Sequence, residues 1–189
     1  MKYAAAARRL RAHRKRIGTI RARMRTIQRG IEPQPVEDYQ FATPRGPLRL
    51  SELFGRHRDL FVIHNMGSSC PYCTLWADGF NGLYPHLLSR AAFVVASPDS
   101  PAVQQRFARG RGWRFPMVSH ARTTFATDMG YRTRTGWRPG ISAFQRAGAR
   151  VVRVSDASMS PGDDFCAVWH MLDLLPEGPA GWQPKLRYR

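Results

Sequence analysis

Apolar positions in the first thirty residues recur at helical spacing. Leu10, Ile17, Ile20, Met24 and Ile27 follow alternating steps of seven and of three or four residues, and His13 fills the one polar slot in that seam. Ala4 to Ala7 and the many arginines favour a helix, so the pattern predicts one over 1–30 with an a/d stripe. Three destinations for the stripe follow from the pattern: the protein's own body, a second copy across a homodimer, or no apolar partner, with the helix a nucleic-acid arm. Gly30 can end the helix, and Pro33 and Pro35 predict an extended linker after it.

Beyond Val36 the pattern shortens. Tyr39-Gln40-Phe41 alternates as a strand does, Thr43-Pro44-Arg45-Gly46-Pro47 has turn composition, and Leu48-Arg49-Leu50 reads as the returning strand. Ser51 caps a short helix through Leu53 and Phe54. Continuous apolar runs predict buried strands at Leu60 to His64 and at Ala92 to Ala96. Between them, Pro71 to about Arg90 reads as a helix interrupted near Gly79 and Gly82 and resumed after Pro85. Ser100-Pro101 opens another helix that ends near Gly110 or Gly112. Phe115 to Val118 is short and extended. Ile141–Gln145 and Arg150–Val154 flank Ala147-Gly148 as a hairpin. Asp163 or Asp164 caps a last helix carrying Phe165, Val168, Trp169, Leu172 and Leu175. The order is βαβ followed by ββα, an α/β sheet with helices on both faces. Three segments result: a basic helix (1–30), an α/β domain (31–176) and a basic Pro/Gly-rich tail (177–189).

Charge changes the picture mainly at the amino end. The chain carries 30 Lys and Arg against 13 Asp and Glu, a net +17. Lys2, Arg8, Arg9, Arg11, Arg14, Lys15, Arg16, Arg21, Arg23, Arg25 and Arg29 precede the first acid, Glu32. Such an arm needs a partner surface or counter-ions to offset its self-repulsion. Nucleic acid is one candidate, but the seam is apolar and no aromatic follows Tyr3 to stack on bases. No run approaches the roughly 18 apolar residues of a membrane span, and no secretory h-region follows the N-terminal charges, so a cytoplasmic protein is expected.

Three cysteines make no disulfide framework. Cys70 and Cys73, in Met66-Gly67-Ser68-Ser69-Cys70-Pro71-Tyr72-Cys73, follow a buried strand and open a helix. Free N–H groups and the helix dipole there favour a thiolate on Cys70. That thiolate can attack a disulfide, and Cys73, one turn on, can resolve the mixed intermediate. Pro71 suits the first helical turn, and the basic surroundings are expected to lower the thiolate pKa further. An inert buried pair, or half a zinc site completed by Cys166 and a histidine, are the competing readings, although no second pair repeats the spacing. His64 reads as a core histidine, Cys166 as a buried thiol on the last helix, and Asp78 as a turn residue, with acceptance of a proton from Cys73 as its alternative role. Arg138 could support the thiolate or an anionic substrate.

These residues resemble the thioredoxin fold. More closely, Val36-Glu37-Asp38-Tyr39-Gln40-Phe41, Leu50-Ser51-Glu52-Leu53-Phe54, His64-Asn65-Met66-Gly67, Trp76-Ala77-Asp78-Gly79-Phe80-Asn81-Gly82, Gly112-Trp113-Arg114-Phe115-Pro116 and Leu172-Asp173-Leu174-Leu175-Pro176 resemble a bacterial thioredoxin-like family of predicted dithiol–disulfide oxidoreductases with largely unassigned function. The resemblance implies a central mixed sheet flanked by helices, here with an extra N-terminal helix. It implies Cys70 and Cys73 as the catalytic pair, with Pro71 and Tyr72 tuning redox poise. Pro139, before Gly140-Ile141-Ser142, matches the slot of a cis-proline facing the dithiol, with Pro116 the competitor. Cys-Pro-Tyr-Cys resembles the glutaredoxin site, which implies a reducing or glutathione-coupled role. No cofactor or metal is expected, and the expected partners are protein or small-molecule disulfides, glutathione among them. Peroxiredoxins share the fold but carry a Thr three residues before the nucleophile, where this chain has Gly67, so a peroxidase is the lesser expectation. The other rival is a nucleic-acid or acidic-partner binding protein on the same scaffold.

Overall fold

The computed structural model describes residues 1–188 and divides into two units, Met1–Pro33 and the chain from Gln34 onward. The first is one helix, α1 (Tyr3–Arg29). No residue in it is buried, and its seam is open to solvent, from 46% exposure at Ile17 to 70% at Ile27. The helix closes with the Gly30 N–H donating to the carbonyl of Ile27 and the Ile31 N–H to that of Gln28.

The second unit runs β1 (Gln34–Val36), β2 (Gln40–Thr43), β3 (Gly46–Arg49), a 3-10 turn (Leu50–Phe54), β4 (Asp59–His64), α2 (Pro71–Leu88), β5 (Ala92–Ser97), α3 (Pro101–Arg111) and β6 (Met117–Ser119). It continues through α4 (Phe125–Asp128), the ribbon β7 (Arg132–Thr133) and β8 (Gly136–Trp137), β9 (Gly140–Ala147), β10 (Arg150–Ser158) and α5 (Ala167–Leu172). Eight strands form one sheet in the order β1-β10-β9-β4-β5-β6-β2-β3. β4, β5 and β6 are parallel, and β9 runs antiparallel to β4. The fold is thioredoxin-like: a mixed sheet flanked by helices, with α1 in addition.

Period-two alternation divides the core. Leu60 and Val62 of β4 face a cluster with Phe41, Phe54, Phe125 and Phe144. Phe61 and Ile63 face the other side, with Trp76, Phe80, Phe93 and Trp169. α2 therefore lies on the Ile63 face of the sheet.

Four expectations need correction. Ser51 is no cap: the 3-10 turn begins at Leu50 with Arg49 at its N-cap position, and the Ser51 hydroxyl donates to Asp38 instead. Residues 34–36 are an edge strand paired with β10, not a linker; Pro35 is accepted there because an edge strand spares one N–H. α2 is unbroken through Gly79, Gly82 and Pro85. Its buried face, Cys73, Thr74, Trp76, Ala77 and Phe80, outweighs about 1 kcal/mol per interior glycine. Pro85 cannot donate to the carbonyl of Asn81, and the Arg114 guanidinium donates to that carbonyl instead, at 3.3 Å. The last helix is only Ala167–Leu172 with Cys166 at its N-cap, so Asp163 is no helix cap and Leu175 lies beyond the helix. Asp163 organises the preceding turn instead, accepting from the N–H groups of Ser160 and Phe165.

Candidate active site

β4 delivers the chain to the turn Gly67–Cys70, closed by the Cys70 N–H donating to the Gly67 carbonyl at 3.1 Å. The turn is pinned from three sides. The Asn65 N–H donates to the carbonyl of Ala96 on β5, the Gly67 N–H to Oδ1 of Asn65 at 2.8 Å, and the Ser68 N–H to Oδ2 of Asp99 at 2.7 Å. Gly67 sits at φ +112°, and a Cβ there would lie 3.3 Å from both Asp99 carboxylate oxygens. Left-handed backbone and close approach both call for glycine.

Cys70 is the N-cap of α2 and Pro71 its first residue. Sγ of Cys70 takes the place that a serine or aspartate oxygen has in an ordinary cap: it accepts from the Cys73 N–H at 3.1 Å. The Cys70 carbonyl accepts from both the N–H and the hydroxyl of Thr74. Cys70 is half-buried and Cys73 buried, and all three cysteines are free thiols. The Cys73 sulfur in turn accepts from the Met66 N–H at 3.4 Å.

The two thiols are unequal. Cys70 is lowered from about 9 to about 7, foremost by a hydrogen bond from the Cys73 thiol, then by the backbone N–H groups of Cys73 and Tyr72, against the opposing effect of burial. Cys73 is pushed up, because its proton is held by Cys70 and because it is buried. The expected lowering by basic side chains is not the cause; hydrogen bonds set the value. The pair thus has one thiolate near neutral pH and one retained proton beside it.

Tyr72, in the first turn of α2, packs its ring against Trp169 at 6.2 Å and 24°. Pro139 precedes Gly140, whose β9 position pairs with His64 at the end of β4. The expected cis bond is absent: every peptide bond among the described residues is trans. The segment is held extended by the Arg138 N–H on the Tyr131 carbonyl and the Met159 N–H on the Pro139 carbonyl, and a trans X–Pro bond is preferred where nothing demands otherwise. Pro116 is trans as well.

His64 belongs to the opposite face of the sheet. It stacks on Tyr131 at 3.8 Å and on Phe125 at 5.3 Å, and its Nε2 hydrogen-bonds with the Ser142 hydroxyl. Asp78 lies within α2 and is committed to Arg111 and to the Trp113 indole, so it is neither a turn residue nor a free proton acceptor. Cys166 is buried, and burial raises its thiol pKa. Among the described residues no three His, Cys, Asp or Glu side chains converge as metal ligands, and no helix is long and apolar enough to cross a membrane.

The family model described as "Bacterial protein of unknown function (DUF899)" matches residues 1–185. The chain belongs to this family. No functionally curated protein matches it. Solved structures of similar fold include peroxiredoxins. Peroxiredoxin Q of Xanthomonas campestris aligns with a TM-score of 0.54 at 20% identity, covering 64% of this chain and 80% of that one. Peroxidoxin BcpB of Mycobacterium tuberculosis gives 0.54 at 26%, covering 67% and 84%. Reduced Prx3 of Vibrio vulnificus gives 0.57 at 13%, covering 70% and 89%. These likenesses establish a thioredoxin-superfamily fold for this DUF899 member. At Gly67, three residues before Cys70, this chain offers no hydroxyl to the site.

What the sequence missed around Cys70 and Cys73 of this DUF899 member is the support of α2. Trp76 donates its indole N–H to Asp163 at 3.3 Å, and Asp78 receives Arg111 and Trp113. The adjacency of the Trp-Ala-Asp-Gly-Phe-Asn-Gly and Gly-Trp-Arg-Phe runs in three dimensions was the available signal, but no one-dimensional spacing encodes it.

Proposed function

We propose that the protein is a thiol–disulfide oxidoreductase that works through Cys70 and Cys73. The observation that carries the reading is the 3.1 Å hydrogen bond from the Cys73 N–H to the Cys70 sulfur at the opening of α2, with the Cys73 thiol buried behind it. It supports a thiolate at Cys70 and a protonated resolving thiol one turn away. The Cys70 thiolate attacks a disulfide RS–SR, forming a Cys70–SR bond and expelling RS⁻. Cys73 then loses its proton and attacks the Cys70 sulfur, expelling the second RS⁻. The protein dithiol is oxidised, the disulfide is reduced, and the two thiol protons pass to the two leaving thiolates. Pro71 starts the helix without wasting an N–H, Tyr72 shapes the face beside Cys70, and Pro139 precedes β9, whose Gly140 pairs with His64 at the end of β4. Substrates are protein or small-molecule disulfides, in a reducing compartment where the dithiol is regenerated.

A peroxidase reading draws on the fold of the similar structures but lacks a hydroxyl at Gly67 to orient a peroxide. The test is disulfide reduction in the insulin assay with dithiothreitol as donor. Wild type should be active, Cys70→Ser inactive, and Cys73→Ser arrested after one turnover. Activity retained by Cys70→Ser would rule out the proposed nucleophile.

A further inference from the structure

A pocket of about 620 Å³ opens beside the Cys70 turn, between α3 and the C-terminal segment. Its size is that of a small-molecule site. Ser68 forms one wall, Phe107 and Leu186 supply an apolar floor, and Arg106, Arg111 and Arg187 bring three guanidinium groups; among the described residues no carboxylate lines it. Arg111 is already committed. It pairs with Asp78 and donates to the Leu186 carbonyl at 2.9 Å, so it fastens the tail that completes the pocket. Arg106 and Arg187 have neither an ion pair nor a hydrogen bond among the described residues. Two exposed guanidinium groups thus border one cavity with no acidic partner among the described residues, and an anion between them would pair with both. The pocket's charges also stand apart from the hydrogen bonds that lower Cys70, which fits binding rather than thiolate activation.

We infer that this pocket selects substrates for the dithiol: low-molecular-weight disulfides bearing carboxylates, their apolar stems on Phe107 and Leu186 and their anionic ends on Arg106 and Arg187. The inference rests on the dithiol reading above. Reach is sufficient. Ser68 is two residues from Cys70, a span of at most about 7 Å, and a tripeptide-sized ligand extends about 10 Å. The exchange itself is the one already balanced, with the bound disulfide as RS–SR.

Two measurements on the full chain test it. The first follows oxidation of the pre-reduced protein by glutathione disulfide, which is anionic, and by bis(2-hydroxyethyl) disulfide, which is neutral. Wild type should favour the anionic probe, and the ratio of the two rate constants should fall about tenfold for each of Arg106→Gln and Arg187→Gln, the loss of one charge-assisted contact each. The second is calorimetric binding of S-methylglutathione, which cannot exchange, to the Cys70→Ser protein; it should weaken by the same factors. Reaction with both disulfides at an arginine-independent ratio, or S-methylglutathione binding that ignores the arginines, overturns the pocket and leaves the dithiol reading intact. Reaction with neither disulfide overturns both.

Discussion

The indole N–H of Trp113 donates to Oδ1 of Asp78 at 2.8 Å. The same carboxylate pairs with Arg111, and one turn along α2 Asn81 donates to the Gly112 carbonyl and accepts from the Arg114 N–H. The helix that starts at Cys70 is thereby clamped to the segment leading into β6. Asp78→Ala leaves the Trp113 donor and the Arg111 charge without their acceptor and should cost about 1–3 kcal/mol, while Asp78→Asn, which keeps an acceptor, should cost less. Urea denaturation measures both. Equal, negligible losses would mean that the clamp contributes nothing.

The ionisation of Cys70 depends on Cys73. The rate of alkylation at Cys70 should rise with pH to a midpoint near 7. Cys73→Ala removes the largest cause of that lowering, so the midpoint should move up toward 9 and the rate at pH 7 should fall about tenfold. Cys73→Ser keeps a hydroxyl donor and should shift it less. Iodoacetamide kinetics, read by mass spectrometry, give all three profiles.

Acid should weaken the fold through two buried histidines. His64 is lowered by burial first, then by His120 and Arg153. His120 falls to about 4, chiefly by burial, with Arg132 lowering it further and its own backbone contact and Asp99 opposing. Nδ1 is buried without a hydrogen-bond partner in both rings. Their folded pKa values lie below the unfolded 6.5, so the unfolded chain takes up protons first as pH falls. Stability should be complete above about pH 6.5 and decline from there toward pH 4, by about 1.4 kcal/mol per pH unit for each histidine. Thermal melts from pH 8 to 4 measure the slope, and His120→Asn should reduce it.

Gly140 is fixed by contact rather than by backbone angle. A Cβ there would run into the Tyr131 ring and lie 2.8 Å from the Ala157 carbonyl. The ring cannot retreat, since it stacks on His64 and its hydroxyl bonds Asp156. Gly140→Ala should therefore destabilise by about 1–3 kcal/mol or more, seen as a lower Tm. An unchanged Tm would show that the ring has room to move.

The sequence carried the elements whose determinants are local. Leu60 to His64, the cysteine pair with Pro71 behind it, Ser100-Pro101 and the Ala147-Gly148 hairpin are each specified by neighbouring residues, and each forms where its pattern lies. What escaped depends on distant partners. The continuity of α2 past Pro85 needs Arg114 to take over the Asn81 carbonyl. The strand at Gln34–Val36 exists only because β10 is there to pair with it. The role of Asp78 is set by residues 33 and 35 positions away. The α4 segment and the β7–β8 ribbon are too short for a periodicity to register.

The most direct measurement is capture of the first covalent intermediate. The Cys73→Ser protein, reduced and then mixed with one equivalent of glutathione disulfide, should gain a single glutathionyl group, and peptide mapping should locate it on Cys70. An adduct on Cys166, or a protein that stays unmodified while an unfolded control reacts, would contradict Cys70 as the nucleophile.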